Sequence, residues 1–253
     1  MHHGSFAGVG LGDYTCFTDE TDLTARYMTI GGITCGTAFL PELFSILTRY
    51  QERMPFHGRL EWKCITKHNR HVFEDLIDEF FELNREHVVD FHGLVVDMHK
   101  FDHFTYNDGD REVSFDKMLF QSLYAVHKRY SGCSKIRCFH GNRDSPYPIA
   151  NLREMLNNKA FALKFGRIFV PYVVVKNLHV KQSLPMQLAD LLIGCLGAHW
   201  NKRKGYTAGS PKDIVAQRFK RECSAVDLLR SSPRASKHFV IWEFKGRPAG
   251  LGG

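Results

Sequence analysis

The chain has 253 residues, 43% hydrophobic and 24% charged, enough to bury a substantial core and ordinary for a soluble globular protein. No apolar run approaches the roughly 20 residues that span a bilayer, and the start lacks a secretory apolar segment. A membrane or exported protein is therefore not expected; seven cysteines, an odd number, fit a reducing cytoplasm better than a disulfide framework. The net charge of +7 is uneven. Twelve Lys or Arg against four Asp or Glu follow Trp200, so the first 200 residues sum to about −1. A near-neutral core with a basic C-terminal surface favours a polyanionic partner, or is a solvated basic face.

Residues 1–13, opening on the glycine-rich Met1–Gly8, read as a flexible segment. Tyr14-Thr-Cys-Phe-Thr-Asp19 is β-rich and runs into the acidic Asp19-Glu20-Thr-Asp22. Arg26 to Cys35 predicts a second strand joined to the first by a hairpin. Phe39 to Gln51 has helical periodicity, and Gly58-Arg-Leu-Glu-Trp-Lys-Cys-Ile65 alternates like a third strand. Asn69 to Arg85 is an amphipathic helix with Val72, Phe73, Leu76, Ile77, Phe80 and Phe81 on its core face. Val88 to Asp97 predicts a buried fourth strand ending in an acid. Asp108-Gly-Asp110 reads as a loop, Phe115 to Tyr130 as a helix and Ser134 to His140 as a short strand. A helix from Ile149 to Asn158 and a strand from Phe169 to Val175 precede the most telling segment, Ser183 to Trp200. The remainder, with Gly205, Gly209 and Ser231-Ser-Pro233, reads as a looser basic extension over 202–253. The order predicts an α/β fold with a mixed central sheet flanked by helices.

Ser183 to Trp200 reads as a helix, with Ser183 placed to cap it and Pro185 in its first turn. Its surroundings are apolar except for one stripe: Gln187, Asp190, Gly194, Gly197 and Asn201 share a face at helical spacing. A lone carboxylate on a buried helix costs several kcal/mol unless a partner or a metal neutralises it, and the glycines let the stripe approach another backbone. Asp19 ends the first strand, Asp97 ends a later buried strand, and Asp190 lies on this helix. If the helix packs across the ends of those strands, the three carboxylates converge. Crowded carboxylates need cations or protons, and Mg²⁺ or Mn²⁺ prefers such oxygens. Paired ions of this kind support phosphodiester hydrolysis.

Thr18-Asp-Glu-Thr-Asp22 followed by Tyr27-Met-Thr-Ile-Gly-Gly-Ile33 resembles the opening strands of the family called domain of unknown function 3800. Ser183 with Met186-Gln-Leu-Ala-Asp-Leu-Leu-Ile-Gly194 resembles that family's closing helix, and Glu61-Trp-Lys63 a short charged motif on its third strand. The likeness spans about Tyr14 to Trp200, an RNase H-like α/β domain over 14–201. The family resembles the RNase H-like superfold, which implies a metal-dependent nuclease acting on DNA or RNA, in a bacterial or phage defence setting. The resemblance carries the metal carboxylates onto Asp19, Asp97 and Asp190, with Mg²⁺ or Mn²⁺ as cofactor. It departs at Thr21-Asp22, where the family has Ser-Gly, which leaves Asp22 as an extra or displaced ligand.

Several residues have two readings. Asp19 is a ligand or a hairpin cap. Glu20 points to the opposite face if the strand continues, as a ligand or a supporting group. Asp97 competes with His99, Asp102 and His103 for the site. Asp144 is a fourth ligand or an Asx-turn residue before Pro146. Lys63 and Arg143 neutralise transition-state charge or pair with acids inside the fold, and Gln187 is placed to orient Asp190. Lys202, Arg203, Lys204, Lys212, Arg218, Lys220 and Arg221 are candidates to hold phosphates. Cys133, Cys138 and His140 lack the second pair of a zinc site, and neither a phosphate-cradling loop nor a dinucleotide fingerprint occurs. The competing functions are a noncatalytic nucleic-acid-binding module and a small-nucleotide phosphatase. A regulatory partner or a homo-oligomer is compatible with either.

Overall fold

A computed structural model describes residues 12–21, 24–100, 110–130, 135–142, 148–163, 171–201, 208–223, 226–233 and 235–245. Six strands form one mixed sheet: β1 (Tyr14–Thr21), β2 (Tyr27–Gly36), β3 (Val89–Asp97), β4 (Ile136–Gly141), β5 (Tyr172–Leu178) and β6 (Phe239–Phe244). Their spatial order is β5-β4-β1-β2-β3-β6. The first three make an antiparallel meander. β4 then returns parallel to β1, β5 parallel to β4, and β6 parallel to β3. A parallel return needs a crossover, and the helices supply it.

The helices are α1 (Leu40–Glu52), α2 (Arg70–Arg85), α3 (Arg111–Arg129), α4 (Ile149–Leu163), α5 (Leu184–Asn201) and α6 (Pro211–Glu222). Strand alternation divides the sheet's side chains between two cores. Phe17, Ile33, Phe91 and Val95 face the larger one with α1, α2, α5 and α6. Cys16, Ile30, Leu94 and Cys138 face the smaller one with α3 and α4. α5 is buried almost all round and lies across β1 and β2, as a uniformly apolar helix must.

The structure corrects the sequence reading in several places. Gly58 to Ile65 is an irregular segment with one 3₁₀ turn at Trp62–Cys64. The Leu60 and Trp62 N–H groups go to side chains of α5 instead of to a neighbouring strand, and those of Gly58, Cys64 and Ile65 close local turns. α3 starts at Arg111, four residues before the expected Phe115. Asp110 caps it, its carboxylate accepting from the N–H groups of Glu112 and Val113. β5 begins at Tyr172 and runs to Leu178. Beyond residue 207, α6 packs on α2 and α5 and β6 extends the sheet beside β3, a more regular arrangement than a loose wrap. Among the described residues no helix is long and apolar enough to cross a membrane.

Candidate active site

The polar stripe on α5 works as a set of backbone clamps. The Leu60 N–H donates to Gln187 Oε1 at 2.7 Å, and the Trp62 N–H donates to Asp190 Oδ2 at 2.7 Å. One turn on, a Cβ on Gly194 would stand 2.3 Å from Trp62 Cγ, so the indole lies where only glycine leaves room. At the helix end Asn201 accepts from the Tyr27 N–H and donates to the Tyr27 carbonyl. Gln187 therefore holds the Leu60 backbone; it and Asp190 fix the same irregular segment.

Asp19 sits near the end of β1, two residues after Phe17 and so on the face that meets α5. Its Oδ1 accepts from the Glu20 N–H at 3.0 Å. A Cβ on Gly141 would stand 2.1 Å from that oxygen, so the carboxyl rests over the end of β4. Burial raises its pKa to about 8, helped by the charges of Glu20 and Asp190. Asp190 is raised to about 6, chiefly by burial; the Trp62 N–H, Lys63 and Lys212 oppose that rise and Glu61 adds to it. β1 and α5 thus bring two carboxyls into electrostatic reach, and both resist ionisation chiefly because burial strips water from the charged form.

Glu20, the next residue along β1, does not leave for the opposite face: its side chain hydrogen-bonds to that of Asp19 and its charge adds to the rise there. Its Oε2 lies 3.1 Å from His140 Nε2, while His140 Nδ1 shares a hydrogen bond of 3.0 Å with Thr18 Oγ1. His140 is 2% exposed and is a member of the site that the sequence reading missed. Its pairing depends on the parallel register of β1 and β4, which no local pattern reveals. It also lines an apolar cavity of about 220 Å³ between α3 and α4, with Phe115, Leu119 and Leu152.

Glu61 is the second addition. It is 1% exposed and bonded to Arg59 and Lys63, each at 3.0 Å. The alternation Arg59, Glu61, Lys63 was its signal, since residues two apart share a face in extended chain. Lys63 itself is 66% exposed, and Lys212 reaches over the Trp62 ring, 5.5 Å from its centroid. A positive rim therefore borders Asp190.

Other expected members lie elsewhere. Asp97 does not join the cluster. Asp19 is level with Gly31 and hence with Gly93, so Asp97 lies two strands across and four residues further on, roughly 13 Å along the strand at ~3.3 Å per residue. There it pairs with Arg26 at 3.1 Å and accepts from the His99 N–H. Burial pushes its pKa up, but those partners outweigh burial and hold it below the usual range. Arg218 is engaged by both oxygens of Asp78, each at 2.5 Å, so it braces α6 on α2 and is not open to a phosphate. Lys220 and Arg221 are exposed on the last turn of α6. Asp22, Asp102, Asp144, Arg143, Lys202, Arg203 and Lys204 lie outside the described residues. Among the described residues no three or more His, Cys, Asp or Glu are disposed to hold a metal ion.

The sequence matches no family model and no curated protein, so the likeness to domain of unknown function 3800 has no matching family behind it. Among solved structures, a chain of the PCNA:RNase HII complex from Archaeoglobus fulgidus aligns with a TM-score of 0.39 and 12% identity. The alignment covers 89% of this chain and 98% of that one.

Proposed function

We propose that this chain is a nuclease with an RNase H-like core, hydrolysing phosphodiester bonds beside Asp19 and Asp190. The observation that carries the reading is that those two carboxyls lie within electrostatic reach of each other. One comes from the end of β1 and one from the helix laid across β1 and β2, and the charge of Asp190 adds to the burial that keeps Asp19 protonated. The order β5-β4-β1-β2-β3, with β2 alone antiparallel to the rest, is the arrangement expected of such a core.

Mg²⁺ or Mn²⁺ suits this donor set. Both are hard cations, and Mg²⁺ is commonly held by one or two carboxylates together with waters and substrate phosphate. Asp19 and Asp190 would hold it, and a divalent charge there would offset the desolvation and crowding that raise both pKa values. A divalent ion there supplies positive charge against the charge that develops on the phosphate. The protein's own groups do the positioning. Gly141 and the Glu20 N–H fix Asp19, the Trp62 N–H fixes Asp190, and His140 fixes Glu20. Lys63 and Lys212 offer cations to phosphate oxygens at the rim.

The test is cleavage of labelled single- and double-stranded DNA and RNA by wild type and Asp190→Asn, with Mg²⁺, Mn²⁺ or EDTA. Metal-dependent cleavage that falls at least 100-fold in the variant supports the reading; cleavage that survives EDTA or the substitution overturns it. The hydrogen bond from the Trp62 N–H to Asp190 favours one alternative, a noncatalytic nucleic-acid-binding module in which Asp190 is a structural clamp. Binding by both proteins with cleavage by neither would select it.

A further inference from the structure

Phe56 is fully exposed, at 102% of its reference accessibility, and its backbone lies in the left-handed region at φ 56°, ψ 36°. A bulky residue at positive φ is an outlier, and such strain concentrates where a ligand is gripped. The short turn Pro55–His57 carries it and is closed by the Gly58 N–H donating to the Pro55 carbonyl at 3.1 Å. Met54, just before, is buried. The tip is therefore anchored from below while the ring is held in solvent.

The chain around this ring is basic. From Arg53 to Arg70 there are five Lys or Arg (Arg53, Arg59, Lys63, Lys67 and Arg70) and one acid, Glu61; Arg53 pairs with Asp75 and Arg70 with Glu74, while Arg59 and Lys63 share Glu61, so the positive excess lies at Arg59, Lys63 and Lys67. The same segment runs from Phe56 directly into the acid site, where Leu60 and Trp62 are clamped by Gln187 and Asp190. Proteins that hold single strands combine these two features, cations that track the backbone and an aromatic face on which a base stacks. A protein partner is the weaker fit. Among the described residues the other exposed large apolar side chains, Phe44, Met155, Val173 and Leu229, are scattered over α1, α4, β5 and the segment beyond α6, whereas a protein interface gathers such residues into one patch.

We infer that Phe56 is a stacking platform for an unpaired base of a single-stranded nucleic acid, whose backbone follows the Arg59–Lys67 segment toward Asp19 and Asp190. This rests on the nucleic-acid reading of the acid site and adds the strandedness of the substrate. In a duplex the base faces are already stacked, so a lone ring gains only from an unpaired base.

The experiment measures binding in the absence of cleavage. Wild type, Phe56→Ala and Phe56→Tyr are titrated against fluorescent single-stranded DNA, single-stranded RNA and their duplexes, in EDTA and again in Ca²⁺. Phe56→Ala is expected to weaken single-strand binding about tenfold or more, with Phe56→Tyr near wild type and duplex binding unchanged. The salt dependence of binding should stay the same, since no phosphate contact is lost. Because the ring is fully exposed, Phe56→Ala should melt as wild type does. Equal single-strand affinity in Phe56→Ala, or no single-strand binding by wild type, overturns the inference. Tight binding that depends on Phe56 in a protein that never cuts would sink the nuclease reading and leave this one standing.

Discussion

Asp190 and Trp62 are joined by a 2.7 Å hydrogen bond from a backbone N–H to a carboxylate, so one side chain serves both as a candidate catalytic acid and as the clamp for the segment beside it. The two roles separate by substitution. Asp190→Asn keeps a carbonyl oxygen for the Trp62 N–H and removes the charge. Asp190→Ala leaves that donor without its acceptor, at a cost of about 1–3 kcal/mol. The expected outcome is loss of cleavage in both, with a lowered Tm in the alanine variant only. Calorimetry beside the cleavage assay checks it, and an asparagine variant that cuts normally would remove Asp190 from the chemistry.

The two raised carboxyls predict how stability depends on pH. Asp19 titrates at about 8 and Asp190 at about 6 in the folded protein, against about 4 in the unfolded chain. Between those limits the folded state binds more protons than the unfolded state, so stability falls as pH rises from about 4 to about 8. The total is on the order of several kcal/mol. Urea denaturation in EDTA across that range should show the decline, and Asp19→Asn should remove most of it. Mg²⁺ should raise the Tm at pH 8 more than at pH 5, because only the ionised pair attracts it. A flat profile in wild type would mean that the two groups are neutralised by something else.

The contrast between Asp190 and the Gly58–Ile65 segment shows where sequence is legible. Asp190 stands out locally, as one charge among apolar neighbours at a spacing that also collects Gln187 and Gly194. The stripe's closeness to another backbone follows from that spacing. The partner segment is not legible in the same way. Arg59, Leu60, Glu61 and Trp62 alternate whether they form a strand or an extended run laid on a helix. What decides between them is the destination of two N–H groups, more than a hundred residues away in the chain. Asp97 fails for a similar reason. That it ends a buried strand is visible, but the interposed β2 and the register are not.

Asp97 therefore supplies a prediction against the sequence reading. Its carboxylate is engaged by Arg26 at 3.1 Å and lies beyond the level of Asp19. Asp97→Asn should leave cleavage within about twofold of wild type, since its carboxylate is held by Arg26 and the His99 N–H away from Asp19 and Asp190. A loss of 100-fold or more would restore Asp97 to the site and require the end of β3 to move toward β1 when substrate binds.

Gly141 gives the sharpest test of how Asp19 is held. A Cβ there would stand 2.1 Å from Asp19 Oδ1 and 2.9 Å from its Cγ, far inside contact distance, while the neighbouring β4 residues keep their pairing with β1. Gly141→Ala must push the Asp19 carboxyl aside, and overpacking of this kind costs about 1–3 kcal/mol. The chemistry should suffer more than the fold, because misplacing a catalytic group by about 1 Å can cost on the order of 100-fold in rate. The expected result is a modest fall in Tm, near-normal nucleic-acid binding and a large loss of cleavage. If Gly141→Ala cuts at the wild-type rate, Asp19 acts from a different position or takes no part in the reaction.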